Sequence, residues 1–212
     1  MPRPRMRWPL LLLLAQPAAC ASPNPDLYTL AALPGTPTQI RAHSVELRRI
    51  GLAGYLDRPE IVRSSASYRL RVAGNERWGE PMGGMLDRVF TEDLVERLPG
   101  TAVFSESGAI STAPDLVLEV DVQRFDAEAS GELVLLAQVA IRHGDERQAA
   151  NARTVRLTAR PASAAIGDHV AAMSRALAQL ADTVVTMMAE GGPHPARISV
   201  RTRRVAHARN PV

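Results

Sequence analysis

Three strand patterns in succession constrain this chain more than any other feature. Leu116, Leu118, Val120 and Val122 alternate with Glu119, Asp121 and Gln123. Leu133, Leu135, Ala137, Val139 and Ile141 follow with the same period, and Val155, Leu157 and Ala159 then alternate with Thr154, Arg156 and Thr158. A period of two sends alternate side chains to opposite faces of a strand. The connections, 126–131 and 143–151, are too short for a crossover helix, so the three strands must form an antiparallel meander. Polar residues at the alternate positions predict one face packed on helices and one face partly wet.

Two helices are available to cover that sheet. Ile166, Val170, Met173, Leu177, Leu180, Val184 and Met187 recur at steps of four and three, and Gly191-Gly192-Pro193 ends the run. The stripe reads as a core face, with a coiled-coil seam as the alternative. Met82, Met85, Leu86, Val89, Phe90, Leu94 and Leu98 give an earlier helix, entered at Pro81 as its first residue and stopped by Pro99-Gly100. Shorter strands are expected at 27–30, 45–50 and 103–104, with a hairpin of 61–63 against 68–72 that ends at Ala73-Gly74-Asn75. Residues 51–59 read as a turn region. The expected fold is α/β (α+β): a mixed, largely antiparallel sheet packed against two main helices. It occupies a single domain over 41–190.

Charge is distributed unevenly. All 25 basic residues are Arg; three lie in the first seven positions and five in the last sixteen. The body between them carries 17 Arg against 22 acidic residues, so a basic groove tracking nucleic-acid phosphates is not expected there. Residues 191–212 read as a disordered Arg-rich tail, which either touches anionic lipid headgroups or is a solvated end.

Residues 1–19 read as an export signal: Arg3, Arg5 and Arg7 precede an apolar run, Leu10 to Ala15, and small residues at Ala18-Ala19. That run is far short of a membrane span. The lone cysteine, Cys20, follows directly. Pro17-Ala18-Ala19-Cys20 resembles the lipobox of bacterial lipoproteins, with Pro17 where Leu is usual. The resemblance implies that Cys20 is diacylated on sulfur and becomes the mature N-terminus; the alternative is a chance cysteine beside an ordinary cut site. Two or three acyl chains, at about 0.8 kcal/mol per buried methylene, hold a protein durably on a membrane. By the same resemblance Ala21, which is not the inner-membrane retention Asp, points to the inner leaflet of the outer membrane. Residues 20–40, rich in Pro, are expected to be the lipidated N-terminus and tether.

No Gly-x-Ser-x-Gly elbow, phosphate loop or Gly-x-Gly-x-x-Gly is present. Of the five histidines, His143 falls in a turn and His169 falls off the helix stripe as a surface residue. No two share metal-ligand spacing on one element. Glu119 and Asp121 share a strand face, as any half-exposed strand would have it. Gly83-Gly84 could host an anion at a helix start but reads as a loosely packed entry. Neither catalytic residues nor a metal nor a cofactor is expected.

Four stretches together resemble the ABC-type transport auxiliary lipoprotein family (PqiC/YmbA-like). They are Tyr28-Thr29-Leu30, the run from Tyr55 through Leu56, Asp57, Arg58, Pro59 and Glu60 to Val62, Arg77-Trp78-Gly79-Glu80-Pro81, and the helix from Val170 to Leu180. The resemblance implies a non-enzymatic component that works with an MCE-domain protein and its ABC permease and ATPase. Such systems move phospholipid or other hydrophobic molecules between the two membranes. Tyr55, Asp57 and Arg58 become candidate partner-binding residues, toward the MCE protein or a second copy of this chain as a homo-oligomer. The alternative is that Asp57 and Arg58 satisfy each other in a tight turn. Trp78 reads as a core anchor. Two other functions stay open: direct binding of a small hydrophobic ligand, and assembly of an outer-membrane protein.

Overall fold

The computed structural model describes residues 24–64, 68–110, 112–144, 146 and 151–190. Cys20, the export signal and the Arg-rich tail lie outside the described residues. In chain order the elements are β1 (Asp26–Tyr28), β2 (Ser44–Leu47), β3 (Gly51–Leu52), β4 (Glu60–Ser64), β5 (Arg71–Trp78), α1 (Met82–Arg97), β6 (Ala102–Ser105), β7 (Leu116–Ala127), β8 (Leu133–His143), β9 (Asn151–Ala159) and α2 (Ile166–Glu190).

Among the described residues, nine strands form one open mixed sheet. Its spine is β7, the longest strand, in which apolar residues alternate with polar ones as far as Gln123. Along one edge β7 pairs antiparallel with β8, from Leu116↔His143 to Ala127↔Leu133, and β8 pairs antiparallel with β9. This is the expected meander. Along its other edge β7 takes three short strands in parallel, end to end: β2 at Leu116–Leu118, β3 at Asp121–Val122 and β4 at Ala127. The outer positions go to β6 beside β2, β5 beside β4 and β1 beside β5. The longest ladders are antiparallel and the parallel pairs are short.

A register shift between Val122 and Arg124 changes which face β7 presents. Leu118, Val120 and Val122 point to the core before it, and Phe125 and Ala127 after it. Arg124 and Asp126 are thereby turned to the opposite face.

Both helices lie on the core face. The helix α2 crosses β8 and β9 and packs beside α1, which also covers β6. Every residue of the two expected stripes is buried. The stripe of α2 is therefore a core face, and Ala172, Ala176 and Ala181 beside it are fully buried as well. The helix α1 starts at Met82, with Pro81 in the extended conformation just before it (φ −56°, ψ 132°). Gly100, at φ +87°, makes the reversal after it, where a side chain would be strained.

Two expectations are corrected. The first is the end of the hairpin: β5 continues through Ala73-Gly74-Asn75 to Trp78. Val62 pairs with Val72 but Glu60 with Arg77, so the extra residues are accommodated as a bulge rather than a strand end. Pairing of 76–78 with β1 on the outer edge holds the continuation in place. The second concerns residues 26–38, expected as tether. They are part of the domain. Leu30 is buried, and the backbone N–H groups of Ala31 and Leu33 donate to Ser174 Oγ on α2 (3.1 Å) and to Asp93 Oδ1 on α1 (2.8 Å). Proline-rich sequence here makes a strap over both helices, with its donors met by side chains.

Three polar side chains of α1 are buried for the same reason. Asp87 accepts from the Ile50 N–H (2.9 Å), and Asp93 accepts from Leu33. Arg97 donates through Nη1 to the carbonyls of Leu33 (3.0 Å) and Asp93 (2.9 Å), and through Nε to Asp182 Oδ1 (2.6 Å). Burial pushes the Asp93 carboxyl up to about 6, against the opposing pull of the Leu33 N–H and the Arg97 charge.

Two measurements check this packing. Leu177→Ala should cost about 2–5 kcal/mol in chemical denaturation, because the position is fully buried against the sheet; a near-zero loss would contradict a core role. Because the folded carboxyl of Asp93 binds its proton more tightly than the unfolded one, its contribution is full below pH 4 and is lost as pH rises through 6. The wild type should therefore gain on the order of 3 kcal/mol over Asp93→Asn between pH 7 and pH 4. A difference independent of pH would show that the carboxyl titrates normally.

Candidate functional site

The loop between β3 and β4 carries the sequence-predicted partner residues. It leaves the edge of β7 after the Ala53 N–H bonds to the Val122 carbonyl (2.9 Å), and it closes with Leu56 bonding to Ala53 and Arg58 to Leu56 (both 2.9 Å). Leu56 is buried and plugs the loop onto the domain. Trp78, buried as expected, anchors the far end, its N–H donating to the Pro59 carbonyl (2.8 Å).

Tyr55, Asp57 and Arg58 do not form one surface group. Tyr55 is half-buried, and its hydroxyl donates to Asp126 Oδ2 at 2.7 Å. Asp126 is fully buried and takes the Arg124 Nε on its other oxygen (2.9 Å). Burial, reinforced by the Asp126 carboxylate, holds the Tyr55 phenol far above its ordinary range, so it acts as a donor and not as a base. Asp57 is exposed at the loop tip. Arg58 donates to Glu60 Oε2 (3.2 Å), in place of the pairing with Asp57 weighed from sequence, and Arg77 approaches the other Glu60 oxygen (3.9 Å). The Arg58 hydrogen bond holds the Glu60 carboxyl below the usual range. The loop thus offers an exposed carboxylate, a guanidinium steered by Glu60 and the outer part of a tyrosine ring whose hydroxyl is already committed.

The wet face of the meander forms an open concavity of about 630 Å³, lined by Arg48, Glu119, Asp121, Gln138 and Arg153 among others. Its charges are largely matched: Arg48 pairs with Glu106, Arg142 with Glu119 (3.3 Å) and Arg153 with Glu190 (2.9 Å). Glu119 and Asp121 are half-exposed strand residues, as their spacing suggested. Among the described residues no group of three His, Cys, Asp or Glu side chains is placed to hold a metal ion.

A second groove, of about 1210 Å³, opens where β4, β5, the β7–β8 turn and the start of α2 meet. Arg63, Arg69, Arg71 and Arg160 line it, with Glu128 and His169. The expectation that His169 lies on the surface is wrong: the ring is only 6% exposed. The apolar stripe of α2 misplaced it because burial extends beyond that stripe, and the ring reaches the backbone of Val62 on β4. Burial, then the Arg63 charge, lowers its tendency to protonate, while the Val62 carbonyl opposes them. The arginines had a sequence signal, Arg69 and Arg71 two apart on one strand face, but only the fold brings Arg63 and Arg160 to them.

The sequence model of the ABC-type transport auxiliary lipoprotein component family matches residues 28–185. No curated protein matches the sequence. Among solved structures, protein XCC0632 from Xanthomonas campestris, assigned to the DUF330 family, superposes at a TM-score of 0.66 with 18% identity. That match covers 78% of this chain and 95% of the other. The crystal structure of an uncharacterized protein superposes equally, at 0.66 and 18% identity, over 78% of this chain and 99% of its own. At such identity the likeness shows a shared fold. The match to the family spans most of the N-terminal strap, the sheet from Tyr28 onward and most of α2, and by it this chain belongs to the family of ABC-type transport auxiliary lipoprotein components.

Proposed function

We propose that this chain is a non-enzymatic accessory lipoprotein of an ABC/MCE-type system that moves phospholipid or other hydrophobic molecules between the inner and outer membranes. Cys20 carries the lipid anchor and holds the domain at the inner leaflet of the outer membrane. The observation that carries the reading is the family match beginning at Tyr28, eight residues after a lone cysteine that follows the expected export signal of residues 1–19. The loop bearing Asp57 and Arg58 then meets the MCE protein. Arg is among the residue types that most often carry interface energy, and Arg58 is held in one direction by Glu60 before any partner arrives. Tyr55 supports the loop from beneath through Asp126 and lends its ring edge to the contact.

The packing supports an accessory role over direct capture of a small hydrophobic ligand. Space between sheet and helices is filled by Phe90, Leu94, Leu118, Leu135, Leu177 and Leu180, all fully buried. Both grooves described above are lined by charge, whereas a hydrophobic ligand needs a mostly apolar lining.

Replacing Cys20 with Ser should release a folded domain from the membrane fraction; a Cys20→Ser protein that still fractionates with the outer membrane would overturn the anchor. In the loop, Arg58→Ala should leave stability within about 0.5 kcal/mol, as surface changes usually do, while copurification of the MCE protein falls sharply. A stable Arg58→Ala variant that retains its partner in full would remove the loop from the interface.

A further inference from the structure

We propose that the groove of Arg63, Arg69, Arg71, Arg160 and His169 is a binding site for a phosphate-ester group. Four guanidinium groups from three separate parts of the chain converge on it: Arg63 from β4, Arg69 and Arg71 from the entry to β5, and Arg160 from just after β9. Among the described residues none of the four is in an ion pair; Arg63 donates only to the Ala164 carbonyl (2.7 Å). The carboxylate that lines the groove, Glu128, is already taken by Arg156 (2.6 Å) and Arg124 (3.5 Å). Guanidinium groups therefore outnumber carboxylates in the lining of this groove, in contrast to the matched concavity on the wet face of the meander.

His169 supplies the independent sign of a ligand. Its ring lines the groove, it is more than nine-tenths buried, and its Nε2 finds no hydrogen-bond partner among the described residues. A buried polar atom left unpaired costs about 1–3 kcal/mol, and this nitrogen belongs to a residue that lines the cationic groove. A phosphate oxygen satisfies it in either protonation state. A protonated oxygen of inorganic phosphate donates to the neutral ring, and an anionic oxygen, the only kind a phosphodiester headgroup offers, accepts from the imidazolium. Arginine forks match phosphate oxygens two at a time, which chloride cannot reproduce. Ser163 and Ala164 bring the positive end of the 25-residue α2 to the same groove.

The phosphate could arrive free or on a lipid headgroup. Exposed Leu70 and Val72 adjoin the arginines, which suits a ligand carrying acyl chains, but the chemistry recognised in the groove is the same. The inference stands apart from the MCE reading and does not need it.

The test follows the ¹⁵N resonances of His169 in the purified full mature chain, solubilised in neutral detergent. The probes are inorganic phosphate, neutral micelles doped with phosphatidylglycerol, and sodium chloride at matched ionic strength. A saturable shift with phosphate, or with the doped micelles only, supports the site; the former identifies free phosphate as a sufficient ligand and the latter the lipid headgroup. The exposed pair Arg69→Gln with Arg71→Gln should keep the fold and weaken binding at least tenfold. The proposal is overturned if chloride shifts His169 equally, if neither phosphate probe shifts it, or if the double variant binds unchanged.

Discussion

The guanidinium of Arg97 is the tie on which the arrangement of layers depends. It is buried at 1% exposure and bonds to three chain segments at once: the strap at Leu33, its own helix at Asp93, and α2 at Asp182. Its backbone carbonyl takes the Thr38 N–H at 2.7 Å, which closes the strap over the end of α1. A charge removed from water is tolerated only when its donors are met, and removing one partner of such a group typically costs 3–5 kcal/mol. The neighbouring backbone is fitted to it: a Cβ on Gly35 would lie 2.2 Å from the guanidinium carbon. Glycine is required there by close approach, because the guanidinium is pinned and cannot move aside.

With α1, α2 and the strap fixed together, the sheet has a single face to offer them. The spine strand β7 sets that face. Its register shift near Gln123 keeps Phe125 and Ala127 in the core while turning Arg124 and Asp126 to the opposite face, where Asp126 is the buried acceptor that seats Tyr55. The local irregularity of one strand thereby positions the loop that presents Asp57 and Arg58. The same stretch of β7 leads into Ala127 and Glu128 at the arginine groove, so both candidate surfaces are built from the end of one strand.

The meander and both helices were legible in the sequence because each rests on a local period: two for Leu116–Val122, and 3.6 for Met82–Leu98 and Ile166–Met187. The parallel partners of β7 were not. Val45–Leu47, Gly51–Leu52 and Ser64 are short, and their pairing with residues some sixty to seventy positions away leaves no local trace. Asp87, Asp93 and Arg97 escaped for a related reason, since a periodic pattern reads polar residues as outward and cannot see the strap that meets Asp93 and Arg97 or the Ile50 N–H that meets Asp87. His169 was misplaced by the same rule. Of the candidate site, Tyr55, Asp57 and Arg58 were found through family resemblance, while the separate roles of the three came only with the geometry.

We propose that this family member works by meeting an MCE protein from a lipid-anchored position. A photoreactive residue placed at position 57 in the intact chain, activated in living cells, tests it most directly. The account predicts a cross-linked product containing an MCE-domain protein, lost when Cys20→Ser detaches the domain from its membrane. Cross-links confined to an outer-membrane assembly component, or a product with the MCE protein that survives detachment undiminished, would contradict it.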